Sequence, residues 1–204
     1  MTAILQKKYY TVEEYLELEA LAEERSEYYY GEIFAMAGGS PQHSEVCAKA
    51  TTAFSNALRG RPCKVYNSDL QVELSTNGHY KYPDMTIVCG QREFSEKNKN
   101  ALTNPMLIVE VLSDGTAEYD KNGKFFFYRQ MPSFREYVLI DQNKAIVTVY
   151  TKQSNQQWQF KEYIGIESIA HFETIDVQIP LAELYEGVDV VGTLEAITEL
   201  FLRH

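Results

Sequence analysis

The sequence predicts a single α/β domain in which a mixed β-sheet is flanked by helices. Three observations lead there. The chain has 204 residues, a length that one hydrophobic core can organise. Its middle is dense in strand-forming residues, with aromatics at 13% and fifteen Tyr, a composition suited to pleated, half-buried surfaces. Segments of helical spacing stand before and after that middle, and no repeat, low-complexity tract or linker divides the chain, so the whole of 1–204 reads as one domain.

Taken in order, YYTVEEYLELEAL reads as a helix. Thr11 can cap it, and Glu14 stands where a capping box needs its reciprocal carboxylate. SEYYYGEIFAMAGG has strand formers on both sides of Gly31 and reads as a hairpin. Ser40-Pro41 then opens a second helix to about Arg59, with Val46, Ala50, Ala53, Phe54, Ala57 and Leu58 at helical spacing. Gly60 and Pro62 end it. CKVYNSDLQVEL alternates, with Leu70, Val72 and Leu74 on one face and Asp69, Gln71 and Glu73 on the other. STNG makes a turn, and YKYPDMTIV returns as the next strand. NPMLIVEVLS is an apolar strand interrupted by one acid, Glu110. A helix is expected from about Glu118 to Met131, then three strands in FREYVLID, AIVTVYTK and QWQFKEYI, and two short helical stretches after Pro180.

Composition narrows the function classes. No apolar run reaches the roughly 20 residues that a membrane span requires. The N-terminus has no apolar stretch of signal-peptide length, so a cytoplasmic protein without membrane contacts is expected. Cys47, Cys63 and Cys89 show neither CxxC spacing nor a Cys/His cluster, and read as small buried thiols rather than a disulfide or zinc framework. The net charge of −10 and pI near 4.9 argue against a protein that coats nucleic acid nonspecifically, because such binding neutralises phosphates with Lys and Arg.

Two carboxylates stand where strands disfavour them. Asp84 follows Pro83, which imposes an extended approach and removes a ladder donor, placing the strand near an edge or at its start. Glu110 lies among residues that all call for burial, so it must be paired, hydrogen-bonded or ligating a cation. Two such acids without an evident Arg partner suggest a hard cation held by oxygens. A loop after Glu110 leads into Asp120-Lys121-Asn122-Gly123-Lys124, from which a Lys can swing back over the strand end. Phosphodiester hydrolysis uses that combination: a metal polarises the phosphoryl oxygen and acidifies a water, while an ammonium steadies the developing charge.

Pro83-Asp84 followed by Glu110-Val111-Leu112 resembles the signature of the PD-(D/E)XK, or restriction-endonuclease-like, superfamily. The collinear order of YTVEEYLELE, YYYGEIFAMAGGSPQHSEV, YPDMTIV and LIVEVLSDGTAEYDKNGKFFFYRQMPSFREYVLID is similar, more closely, to the Uma-type endonucleases, over about residues 9–185. The resemblance implies a restriction-endonuclease-like core with an extra early helix-hairpin and added C-terminal strands. It also implies Mg²⁺ or Mn²⁺, and cleavage of DNA. Carried over residue by residue, Asp84 and Glu110 match the metal acids and Glu32 a third acid. Leu112 stands where the superfamily pattern has Lys, and Lys124 on the following helix matches the displaced lysine. Lys121 is the alternative, and His43 and Gln71 are candidates for contacts near substrate.

Two functional readings lead, and a third, an RNA-directed hydrolase, differs from the first only in groove shape. One is a metal-dependent endonuclease using Asp84, Glu110, Lys124 and Glu32. The other is a noncatalytic interaction or regulatory module on a nuclease scaffold, which the net charge and Leu112 favour. A Lys/Arg rim around the carboxylates would support DNA; an acidic mouth would count against it. The Tyr and Phe surplus and the apolar ITELFL offer either a homodimer interface or packing on the domain itself.

Overall fold

The computed structural model describes residues 9–36, 38–74 and 78–202; Ser75, Thr76 and Asn77 of the expected turn lie outside the described residues. The chain begins with α1 (Val12–Leu21), the strands β1 (Ser26–Tyr29) and β2 (Glu32–Ala35), and α2 (Pro41–Ala57). Six strands follow: β3 (Cys63–Asn67), β4 (Gln71–Leu74), β5 (His79–Lys81), β6 (Met85–Cys89), β7 (Ala101–Leu102) and β8 (Leu107–Leu112). Next come α3 (Ala117–Tyr119), a π-helical turn (Asp120–Lys124) and α4 (Phe125–Tyr128), contiguous in sequence. The chain continues through β9 (Glu136–Asp141), β10 (Ile146–Lys152), β11 (Trp158–Ile164), β12 (Ile169–Phe172) and β13 (Val177–Pro180), then α5 (Leu181–Leu184) and α6 (Leu194–Leu202).

The α/β class holds, but the strands form three sheets rather than one. A six-stranded sheet has the order β11-β10-β9-β8-β6-β3, a five-stranded sheet β2-β1-β5-β4-β7, and β12 pairs with β13. In the larger sheet β8 and β9 are parallel and the other pairs antiparallel, so it is mixed. Alternation along β8 decides what each face meets. Leu107, Val109 and Val111 join Val46, Ala50, Ala53 and Phe54 of α2 in the main core. Ile108 and Leu112 face the other way, into a second cluster with Tyr128 and Phe134. Glu110 shares that second face, which directs its carboxylate towards the helix after β8.

Local chemistry explains most elements. The capping box of α1 is formed: Glu14 N donates to Thr11 Oγ1 (3.1 Å) and Thr11 N to Glu14 Oε2 (2.8 Å), an arrangement worth about 1 kcal/mol. Ser40 Oγ accepts from His43 N at 3.1 Å, and Pro41 occupies the first turn of α2, where its missing N–H costs nothing. Gly31 turns the β1–β2 hairpin at φ +84°.

Three expectations need correction. The segment read as one alternating strand breaks at Ser68–Leu70, sending β3 to the larger sheet and β4 to the smaller. The return strand breaks likewise: β5 stays in the smaller sheet, and the chain crosses at Tyr82-Pro83-Asp84 before β6 enters the larger one. Pro83 has no N–H for a ladder, so the break falls there. Finally, Cys63 and Cys89 are joined in a disulfide. They face each other directly across β3 and β6, a proximity that a separation of 26 residues does not reveal. Cys47 is the free cysteine.

Candidate active site

The crossover at Pro83 puts Asp84 at the mouth of the larger sheet. Its Oδ2 accepts from Val111 N on β8 at 2.7 Å, while its own N approaches Glu110 Oε2 at 3.4 Å. The two acids are thus held by reciprocal contacts between neighbouring strands. Glu110 is 1% exposed. Its Oε1 accepts from Tyr128 Oη at 2.8 Å, and its Oε2 lies 3.0 Å from Lys124 Nζ.

Lys124 arrives through the π-helical turn. The wider coil places Asp120 and Lys124 on the inner side with Tyr128 one turn on, a local irregularity often found at functional sites. Lys124 Nζ is 2.8 Å from Asp120 Oδ1, and Asp120 is 1% exposed. The backbone oxygen of Asp120 also accepts from Tyr137 Oη at 2.9 Å, fixing the turn to β9.

A further acid comes from β1. Glu27 Oε2 is 2.6 Å from Lys81 Nζ, and its Oε1 accepts from Tyr82 N at 3.3 Å. Lys81 is 2% exposed and also donates to Tyr119 Oη at 3.0 Å. Glu27, Asp84, Asp120, Lys124, His43 and Tyr119 all border one open cavity of about 490 Å³.

Electrostatics make this an anionic, cation-seeking centre. Four carboxylates (Glu27, Asp84, Glu110, Asp120) face two ammonium groups (Lys81, Lys124). Burial pushes the Glu110 carboxyl up to about 8; Lys124 opposes that rise, and Asp84 and Asp120 add to it. Burial acts to lower the Lys124 ammonium, but Glu110 and Asp120 outweigh it and hold it above the usual lysine range. The hydrogen bond from His43 to Asp84, at 3.3 Å, raises His43 against the opposing effect of burial. A divalent ion bound by oxygens fits such a surplus of buried negative charge, with Asp84 and Glu110 as the converging donors.

The structure therefore brings Asp84, Glu110, Lys124 and His43 together. Lys121 is exposed on the outer side of the π turn. Glu32 ends the hairpin opposite Tyr29 and does not border the cavity; Glu27 on the paired strand does. Gln71 is buried in the smaller sheet, where its Nε2 donates to Tyr15 Oη and its Oε1 accepts from Asn98 Nδ2, both at 2.7 Å. That network ties α1 to β4 and does not reach the carboxylates. Sequence reading missed Glu27, Asp120, Lys81 and Tyr128. The Asp120/Lys124 spacing of four was a usable signal, and so was a lysine between two tyrosines in a strand. The rim lacks the basic character that would support DNA: among the described residues bordering the cavity, Lys124 is the one Lys or Arg.

Fold and site together define a nuclease-like α/β protein whose acids converge at the opening of a mixed sheet. The model of the family described as "Uma2: Putative restriction endonuclease" matches residues 12–182. Two uncharacterized proteins of Synechocystis sp., slr1290 and sll1609, are 33% and 34% identical to the chain; the alignments cover 86% and 87% of it, and 91% and 100% of theirs. A crystal structure described as a putative nuclease belonging to DUF820 from Anabaena variabilis shares the fold with a TM-score of 0.71 at 18% identity, covering 87% of this chain and 98% of its own. The chain belongs to the Uma2 family. Family and fold support a nuclease, and among the described residues no helix is long and apolar enough to cross a membrane.

Proposed function

We propose that this chain is a divalent-metal-dependent endonuclease that hydrolyses phosphodiester bonds in DNA. The observation that carries this reading is the convergence of Lys124 Nζ, 3.0 Å from Glu110 Oε2, with Asp84 one hydrogen bond away. Asp84 and Glu110 would hold Mg²⁺ or Mn²⁺, which when bound supplies Lewis acidity to a phosphoryl oxygen and acidifies a coordinated water. Lys124 then places an ammonium beside the scissile phosphate, its charge secured by Glu110 and Asp120. Tyr128 fixes the Glu110 rotamer through its hydroxyl. His43 orients Asp84, and Lys121 on the outer side of the turn meets the strand beyond the cavity. The third acid of the site in this reading is Glu27 rather than Glu32.

The acidic mouth favours the second reading, a noncatalytic module on the same scaffold. One experiment separates them: cleavage of supercoiled and single-stranded DNA with Mg²⁺ or Mn²⁺, beside Asp84→Ala and Lys124→Ala. Metal-dependent cutting that each substitution lowers on the order of 10²-fold or more, with the fold intact, supports the nuclease. Absence of cutting, together with no metal binding that depends on Asp84, would leave the interaction module.

A further inference from the structure

His43 and Cys47 are four residues apart on α2, so their side chains stand on one helix face. That face looks at Asp84. His43 Nε2 lies 3.3 Å from Asp84 Oδ2, and Cys47 Sγ is 3.6 Å from His43 Nδ1. One ligand atom from each of the three side chains lies within 4.8 Å of the other two. All three border a second open cavity of about 520 Å³, which shares His43 and Asp84 with the first and is not lined by Glu27, Asp120 or Lys124. Cys47 borders this cavity and not the first.

We infer that His43, Cys47 and Asp84 form a second metal site, selective for Zn²⁺ and similar borderline-soft transition ions. Imidazole, thiolate and carboxylate are all zinc donors, and three protein ligands leave a fourth tetrahedral position for water. The sulfur sets the selectivity, since Mg²⁺ prefers oxygen while thiolate favours Zn²⁺. Binding forms the metal–sulfur bond as the thiol proton leaves to solvent. Support around the site is already built: Val111 N holds Asp84 Oδ2 at 2.7 Å, and Ser40 caps the turn that carries His43. Because Asp84 belongs to both centres, an ion held here withdraws it from the hard-cation position. Zinc is then a reversible inhibitor of the proposed nuclease, a consequence that rests on the reading given above.

The test uses Co²⁺ as a spectroscopic stand-in for zinc on the full chain. Wild type should take up one equivalent with a thiolate-to-cobalt charge-transfer band, and Zn²⁺ should abolish the band by displacement. Cys47→Ser should remove the band and weaken Zn²⁺ binding on the order of 10-fold or more, with an unchanged circular dichroism spectrum. A Cys63→Ser/Cys89→Ser double variant should keep the band, which excludes thiols of the reduced disulfide as its source. Absence of the band in wild type, or its persistence in Cys47→Ser, overturns the site. In cleavage assays with Mg²⁺, wild type should be inhibited by Zn²⁺ at concentrations that leave Cys47→Ser active. Equal zinc sensitivity of the two proteins would sink the inhibitory role. A cobalt band in a protein that cuts no DNA would support the site while removing the nuclease reading; cutting without a band would do the reverse.

Discussion

At the scale of single residues, Glu110 carries a large desolvation cost. An ionised carboxylate buried in a strand costs several kcal/mol unless cations or donors offset it. Lys124 and Tyr128 offset part of that cost, and Asp84 and Asp120 work against them. Glu110→Gln keeps the shape and removes the group that can ionise to meet a cation, so calorimetry should show Mn²⁺ binding lost while Tyr128 and the core stay in place. A variant that still binds Mn²⁺ with wild-type affinity would show that the ion is held elsewhere. Gly39 is a second sensitive position. A Cβ there would lie 2.8 Å from His43 Nδ1, so the ring has to move. In Gly39→Ala, His43 should lose its contact with Asp84 and titrate at lower pH, because that hydrogen bond is the main cause of its raised value. Imidazole proton shifts followed against pH would report this directly, and an unmoved titration would show that the loop yields instead of the ring.

At the scale of elements, the site depends on two irregularities, the strand break at Pro83 and the π turn at Asp120–Lys124. Gly123 marks how tightly the π turn is packed: a Cβ there would meet the Tyr119 ring at 2.5 Å. Tyr119 also accepts from Lys81 and is 43% exposed, so it has room to swing outwards at the cost of that bond. Gly123→Ala should therefore destabilise by about 1–3 kcal/mol through loss of that bond to the buried Lys81 ammonium. In a Tyr119→Ala background the same change should be neutral or stabilising by about 0.5–1 kcal/mol, the ordinary helix preference for Ala over Gly. Denaturant melts of the four proteins give the coupling, and additive effects would refute it. Elements whose cause is local were legible in the sequence: the Thr11/Glu14 box, the Ser40-Pro41 start of α2, and the apolar spacing of Val46 to Phe54. Asp84 and Glu110 were legible because an acid in an apolar strand demands a reason. The division into separate sheets was hidden, since alternation along a strand says which face is buried and not which sheet it joins. Glu27 was passed over for Glu32 for a related cause. Only the pairing of β1 with β5, which places Tyr28 opposite Tyr80, brings Glu27 to Lys81 and the cavity. The Cys63–Cys89 pair likewise exists only once the register is known.

At the scale of the whole molecule, a net charge of −10 and an acid-rich cavity couple stability to pH and metal in opposite senses. The Glu110 carboxyl is raised from 4.5 to about 8 in the folded protein, so between those values the folded state holds a proton that the unfolded chain has released. Stability contributed by this group is fully present below about pH 4.5 and is lost as pH rises through 8. The metal-free protein should thus have a melting temperature that falls as pH rises across this window. Metal binding cancels this slope, because the ion requires the deprotonated carboxylate and displaces its proton, so that neither the folded nor the unfolded chain holds one in this window. At Mn²⁺ about 100-fold above its dissociation constant, stabilisation is about 2.7 kcal/mol, or on the order of 5–10 °C for a chain of this size. That increment should grow from pH 5.5 to 8 and level off above. Glu110→Gln should remove both the downward slope without metal and the increment with it. Melting curves of the two proteins across pH, with chelator and with Mn²⁺, give all four slopes. An increment independent of pH, or one retained in Glu110→Gln, would mean that the ion binds away from the buried carboxylate and that Glu110 serves the fold alone.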